Sequence, residues 1–217
     1  MEFENYFPMW NKLSVQHREK VAEMAQPLSV KAGTVVHNGS MDCIGLLLIA
    51  SGQLRVYTLS EEGRQITLYR LFENDICLFS ASCVMPSVQF EVVVEAQKDT
   101  ELLVIPSCLF KNIMDESAQM ANYVNALIAS RFSEVMWLME QVMWKSFDKR
   151  LAAFLLEEST LEQTPVLHIT HERIADHLGT AREVVTRMLR YFQNEGLVGL
   201  SRGTVTLTNE KALRERT

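Results

Sequence analysis

The side chains with most to offer chemically are concentrated in residues 170–192, THERIADHLGTAREVVTRMLRYF. At helical spacing Arg182, Glu183, Thr186, Arg187 and Arg190 fall on one face, and Val184, Val185, Met188, Leu189 and Phe192 on the other. One face is built to pack. The other offers guanidiniums, a hydroxyl and a carboxylate to something outside. An arginine fork donates two hydrogen bonds to guanine O6/N7, a carboxylate accepts from cytosine N4, and a hydroxyl serves either purpose. Glu183 and Arg187 are four residues apart, so they can pair with each other in the free protein and with adjacent bases in a complex. The plainer alternative is a pair of amphipathic helices of an all-α protein, with Glu183 serving only as a cap.

The flanking elements favour the first reading. Thr170 is an N-cap candidate and Ile174, Ala175 and Leu178 follow at helical spacing. Gly179 ends that helix, and Thr180 with Glu183 three residues on has the form of a capping box for the next. Together they predict a helix-turn-helix with its recognition helix second. The sequel, GLVGLSRGTVTL, places two short β-prone runs, Leu197–Leu200 and Thr204–Leu207, around Ser201, Arg202 and Gly203. That is a hairpin signal, and a helix-turn-helix followed by a hairpin is a winged helix. Binding to double-stranded DNA is the reading that follows.

The overall balance opposes that conclusion only until it is divided. Formal net charge is −6. From Lys145 onward the chain carries 11 Lys+Arg against 10 Asp+Glu, while residues 1–144 carry 10 against 17. Basic character is thus confined to the part expected to meet phosphate. The chain is 47% hydrophobic and 22% charged, the profile of a globular protein, and its longest uncharged apolar run, Ile44–Ala50, is too short to span a bilayer. Glu2 and Glu4 stand where a signal peptide would carry Lys or Arg, so a cytoplasmic location without membrane contact is expected. Cys43, Cys77, Cys83 and Cys108 all lie in the acidic part without a CxxC pair, and are expected to be buried thiols instead of disulfides. His17 and His37 have no ligand-like neighbours, so no metal site is expected. No Gly-rich phosphate loop, HExxH or GxSxG is present, which argues against an enzyme.

Taken in order, residues 6–25 predict one or two short helices, with Ser14 as a cap. From Leu28 to Ile105 the texture is β: Thr34–His37, Ile44–Ala50, Gln53–Leu59, Gln65–Leu71, Phe90–Ala96 and Glu101–Ile105, with Glu61 to Arg64 as a hairpin turn. This predicts an antiparallel β-barrel or sandwich. It either encloses a ligand or is filled by its own side chains. A helix is expected from Glu116 to Trp144, more than about 40 Å long at about 1.5 Å per residue. Within it Val124, Ile128, Arg131, Val135, Leu138 and Val142 alternate spacings of four and three, the seam of a homodimeric coiled coil. Trp137, Met139 and Met143 widen the apolar face, so packing on the barrel is expected as well. Another helix follows from Phe147 to about Glu158, capped by Ser146. The expected class is α+β: a sensor β-barrel domain at 1–115, a dimerisation helix at 116–144 and a winged helix-turn-helix at 145–217.

This order of parts resembles the Crp/Fnr family, the bacterial regulators typified by the cyclic-AMP receptor protein and the fumarate–nitrate reduction regulator. The resemblance spans nearly the whole chain and is carried by KAGTVV at 31–36, SGQLRVY at 51–57, RLAAFLL at 150–156, and Arg182-Glu183 with Arg187. It implies a double-stranded β-helix of cyclic-nucleotide-binding type, with Arg182, Glu183 and Arg187 in the major groove of a palindromic site. Arg182 fits a TGTGA-like half-site, whereas Thr186 before Arg187 is similar to the other branch, so the half-site stays open. Thr170, Thr180 and Arg202 become candidates for phosphate contacts, and RNA polymerase a further partner. In the sensor the likeness to both branches breaks down. No arginine lies between Asn74 and Lys98 to neutralise a cyclic-AMP phosphate, and no cysteine cluster precedes Cys43 to hold an iron–sulfur cluster. The effector is left unidentified, and a DNA-binding protein with a vestigial barrel and no effector is a further alternative. The candidate effector pocket comprises Cys77, Leu78, Phe79, Ser80, Cys83 and Arg131, with Cys77 and Cys83 either a redox or metal sensor or, as the better reading, small core residues.

Overall fold

The computed structural model describes residues 3–39, 44–84 and 91–217, without the side chains of 82–84. After short 3₁₀ turns at Phe3–Asn5 and Trp10–Lys12 comes α1 (Val15–Met24), capped by Ser14, whose hydroxyl accepts from the His17 amide. Eight strands follow: β1 (Gln26–Val30), β2 (Val35–Asn38), β3 (Leu46–Ser51), β4 (Leu54–Leu59), β5 (Gln65–Leu71), β6 (Ile76–Cys77), β7 (Val93–Ala96) and β8 (Thr100–Ile105). They form two four-stranded sheets, ordered β1-β8-β3-β6 and β2-β7-β4-β5, and not the single closed barrel expected. The period-2 alternation that predicts a barrel wall serves two stacked sheets equally well.

Alternation along β3 divides the first unit into two cores. Leu47 and Ile49 join Leu54, Val56, Leu71, Val94 and Leu102 in a core drawn from both sheets. Leu46 and Leu48 point the other way, to a second core supplied by helices. All four are fully buried, so one sheet is covered on both faces. Each such side chain contributes about 1.5–3 kcal/mol over its exposed state.

A helix not expected precedes the long one, and the long one starts two residues later than the expected Glu116. These are α2 (Ser107–Glu116) and α3 (Ala118–Trp144), separated by Ser117 in extended backbone, whose hydroxyl caps α3 by accepting from the Met120 amide at 3.2 Å. Not all of the residues expected at the seam are exposed. Val124 is 1% exposed inside the helix-side core and Arg131 is turned inward, so neither is available to a partner. Ile128, Phe132, Met139 and Val142 are exposed, with half-buried Val135 among them. They keep the expected spacing of four and three and the expected Ile128, Val135 and Val142, with Phe132 in place of Arg131 and exposed Met139 in place of half-buried Leu138. Trp137 and Met143 are about 60% exposed, against the expectation that they pack on the sheets.

The chain divides into two compact units, Met1–Thr58 with Leu68–Val135 and Leu59–Thr67 with Met136–Thr217, the second boundary falling within α3. In the second unit lie α4 (Phe147–Glu162), β9 (Val166–Leu167), α5 (His171–Leu178), α6 (Arg182–Asn194), β10 (Val198–Ser201), β11 (Thr204–Leu207) and α7 (Glu210–Arg214). Its strands pair in the order β10-β11-β9, adding a third strand to the expected hairpin. Leu151, Leu155, Ile174, Val185, Leu189 and Phe192 form the centre of one core. The turn of the β4–β5 hairpin belongs to this unit too: Ile66 bridges Leu178, and Thr67 Oγ1 lies 2.8 Å from the Nδ1 of buried His177. Gly179 permits the approach, because a Cβ there would stand 3.0 Å from Ile66 Cδ1.

Candidate nucleic-acid interface and effector site

Local chemistry sets the two helices of the reading head. Thr170 Oγ1 accepts from the Arg173 amide at 3.1 Å, as expected of an N-cap, and Gly179 ends α5 in the left-handed region at φ 67°. The expected capping box at the next helix is absent. Ala181, not Thr180, is the N-cap of α6, and no side chain caps it. Glu183 therefore has no capping duty and stands exposed in the first turn, where the positive end of the helix dipole favours a carboxylate.

On the inner face of α6, Val185, Leu189 and Phe192 are buried. On the outer face Arg182, Glu183, Arg187 and Arg190 are exposed, Thr186 is half-buried, and all five line one open groove that Tyr191 and Asn194 continue. Glu183, Arg187, Arg190 and Asn194 make a row at spacings of four, three and four. Among the described residues no ion pair joins Glu183 to Arg187, so a helix-surface pairing does not quench them. Arg182 has Glu172 at 3.9 Å, both well exposed. Thr186 is held by His171, its Oγ1 2.9 Å from Nδ1. Burial, followed by the charges of Arg182 and Arg190, pushes the His171 pKa below its usual value. Arg202 is exposed at the wing tip beside Gly203, whose φ of 70° closes the β10–β11 turn.

Arg190 was placed on the polar face from the sequence but given no contact, and Asn194 and His171 were not singled out. Asn194 was legible, since it continues the Glu183–Arg187–Arg190 row. His171 was not, because its partner lies fifteen residues away.

In the first unit the residues expected to form an effector pocket are sorted by strand alternation. Cys77 and Phe79 face the inter-sheet core, whereas Leu78 joins the helix-side core and so does not line the same space. Ser80 is buried and donates its hydroxyl to the Cys77 carbonyl at 2.9 Å. Arg131 reaches this region from α3. Its guanidinium lies 4.8 Å from the centroid of Tyr69, its Nη1 donates to both oxygens of Glu134 at 2.8 and 2.9 Å, and its Nη2 is 3.6 Å from Asp75. Tyr69 in turn stacks obliquely on Phe79 at 6.2 Å. Tyr69 and Asp75 were missed in the sequence, although Tyr69 occupies an inward position of an alternating strand.

Burial pushes the Cys77 thiol up, keeping it protonated, and the Tyr69 phenol up by the same cause. Cys108 is exposed, contrary to the expectation of four buried thiols, because it sits on the outer side of α2. Cys43 and the Cys83 side chain lie outside the described residues. No helix among the described residues is long and apolar enough to cross a membrane.

Comparison with known proteins accords with this geometry. Residues 149–216 match the family model of the Crp-like helix-turn-helix domain, and residues 27–117 that of the cyclic nucleotide-binding domain. The crystal structure of a transcriptional regulator of the Crp/Fnr family from Eubacterium rectale ATCC 33656 is 60% identical, covers 98% of each chain and superposes with a TM-score of 0.96. The cyclic AMP receptor protein of Thermus thermophilus is 28% identical over 78% of each chain. The fumarate and nitrate reduction regulatory protein of Escherichia coli K12 is 24% identical over 94% of this chain and 83% of its own. With a relative at that identity along almost its entire length, and both domain types matched in the same order, this chain belongs to the Crp/Fnr family of DNA-binding transcriptional regulators.

Proposed function

We propose that the protein binds a palindromic DNA site as a homodimer, under the control of a small molecule held by its sensor unit. The observation that carries this reading is the exposed row on α6, in which Glu183, Arg187 and Arg190 face one groove with no ion pair among the described residues. In this reading α6 enters the major groove, Arg182, Glu183, Thr186 and Arg187 meet base edges, and Thr170, Thr180 and Arg202 meet phosphates. RNA polymerase is the further partner by family likeness. The two subunits join along Ile128, Phe132, Val135, Met139 and Val142 of α3, a stripe too apolar to be left in water. The sensor, the dimer helix and the DNA-binding part are assigned to 1–115, 116–144 and 145–217, and the two sheets are read as a double-stranded β-helix.

The effector site is assigned to the inter-sheet face around Tyr69, Cys77, Phe79 and Arg131. Cyclic AMP is not the ligand in this reading, since no arginine between Asn74 and Lys98 faces its phosphate. Cys77 belongs to the packing of the site, because a fully buried, protonated thiol is a poor redox or metal ligand.

In vitro selection from random duplexes tests the main claim. A two-fold symmetric site with half-sites about one helical turn apart is expected, and selection of an asymmetric motif, or of none, overturns it. Calorimetry with cyclic AMP tests the second: no heat of binding is expected, and saturable micromolar binding overturns it.

A further inference from the structure

We propose that His171, the first residue of α5, is a positioning residue that determines base specificity: its Nδ1 accepts the Thr186 hydroxyl proton and leaves only the lone pairs of that hydroxyl for the α6 groove. This rests on the reading in which α6 meets base edges.

The geometry is direct. Nδ1 and Oγ1 are 2.9 Å apart, joining the start of α5 to the second turn of α6, and both residues are half-buried. Thr186 also lines the groove that Arg182, Glu183, Arg187 and Arg190 share. Thr186 therefore has a protein partner on one side and the reading surface on the other.

A threonine hydroxyl has one proton to give and two lone pairs with which to accept. Without a partner it meets donors and acceptors on base edges alike, and hence discriminates little. A ring nitrogen that accepts the proton removes that ambiguity. If Nδ1 accepts the hydroxyl proton, Thr186 can only accept from the groove, which suits adenine N6 or cytosine N4. If Nδ1 carries the hydrogen, the hydroxyl keeps its proton and one lone pair and still meets donors and acceptors alike.

The neutral ring with Nδ1 as acceptor is therefore the form that makes Thr186 a reader of one sense. The surroundings favour the neutral ring, which leaves a nitrogen able to accept. Arg182 and Arg190 face it from α6, Glu172 on its own helix has Arg182 at 3.9 Å, and Thr170 caps the helix whose positive end lies beside the ring.

The test measures affinity of the full-length protein for a set of duplexes that carry each of the four base pairs in turn at every half-site position. Thr186→Val should lose about fivefold discrimination at one position, the worth of one hydrogen bond. His171→Ala should lose a similar factor at that same position, and the double variant should be no worse there than Thr186→Val alone. His171→Phe, which keeps the ring volume and removes the nitrogens, should behave as His171→Ala and serves in its place if the latter does not fold. A role confined to holding the helices together would weaken all sequences equally. That outcome, or discrimination lost with Thr186→Val but intact in both His171 variants, overturns the assignment while leaving base reading standing. Unchanged discrimination in Thr186→Val overturns base reading by that residue and this assignment with it.

Discussion

The guanidinium of Arg131 lies over the ring of Tyr69, 4.8 Å from its centroid, with Glu134 and Asp75 closing around its nitrogens. A charged residue within a coiled-coil repeat is thereby satisfied inside its own subunit. Removing it strands two carboxylates beside a buried phenol. Arg131→Leu is expected to lower stability by about 1–3 kcal/mol, read as a shift in the urea midpoint, and to leave the oligomeric state unchanged. A monomeric Arg131→Leu would return this residue to the subunit interface.

The complementary variant lies one position on. Phe132 is 65% exposed although it is flanked by the apolar members of the stripe. A carboxylate there would be buried in the dimer without a partner, at a cost of several kcal/mol. Phe132→Glu should sediment as a monomer at concentrations where the parent is dimeric, and should bind its operator more weakly. An unaffected dimer would show that the interface lies elsewhere than on α3.

Base and phosphate contacts differ in how they depend on sequence and salt. Arg187→Ala should cost about 1–3 kcal/mol at a specific site and relax preference at one base pair. Arg202→Ala, at the wing tip, should weaken all sequences alike and reduce the salt slope by about one unit. Anisotropy titrations of both variants at several salt concentrations separate the two. If Arg187→Ala lowers affinity uniformly, that side chain meets phosphate.

Thiol chemistry provides an independent check on the sensor. Cys77 is fully buried and its pKa is raised by desolvation, so the thiolate that reacts with alkylating reagents forms only at a pH above the ordinary thiol range. Cys108 is exposed. In a chain carrying Cys43→Ser and Cys83→Ser, iodoacetamide near neutral pH should label Cys108 promptly and Cys77 only after denaturation. Rapid labelling of Cys77 in the native state would mean that the inter-sheet face opens to solvent.

The reading head was determined by the sequence alone because its signals are local. A threonine cap at Thr170, a left-handed stop at Gly179 and an apolar stripe through Val185, Leu189 and Phe192 each depend on residues within a turn or two. The β4–β5 hairpin was legible for the same reason, with Gly63 in the turn between its strands. What the sequence could not decide are the relationships between distant segments. Strand β9 has only two residues, too few for any period, and exists because Val166 and Leu167 pair with β11 some forty residues later. Two stacked sheets and a closed barrel share one pattern of alternation, so only strand pairing distinguished them. On α3 two stripes, one through Val124 and Arg131 and one through Phe132 and Met139, have the same spacing of four and three. Tertiary packing chose between them: the helix-side core took Val124, and Tyr69 with Asp75 took Arg131, so the face left for a second subunit is the one this subunit does not bury.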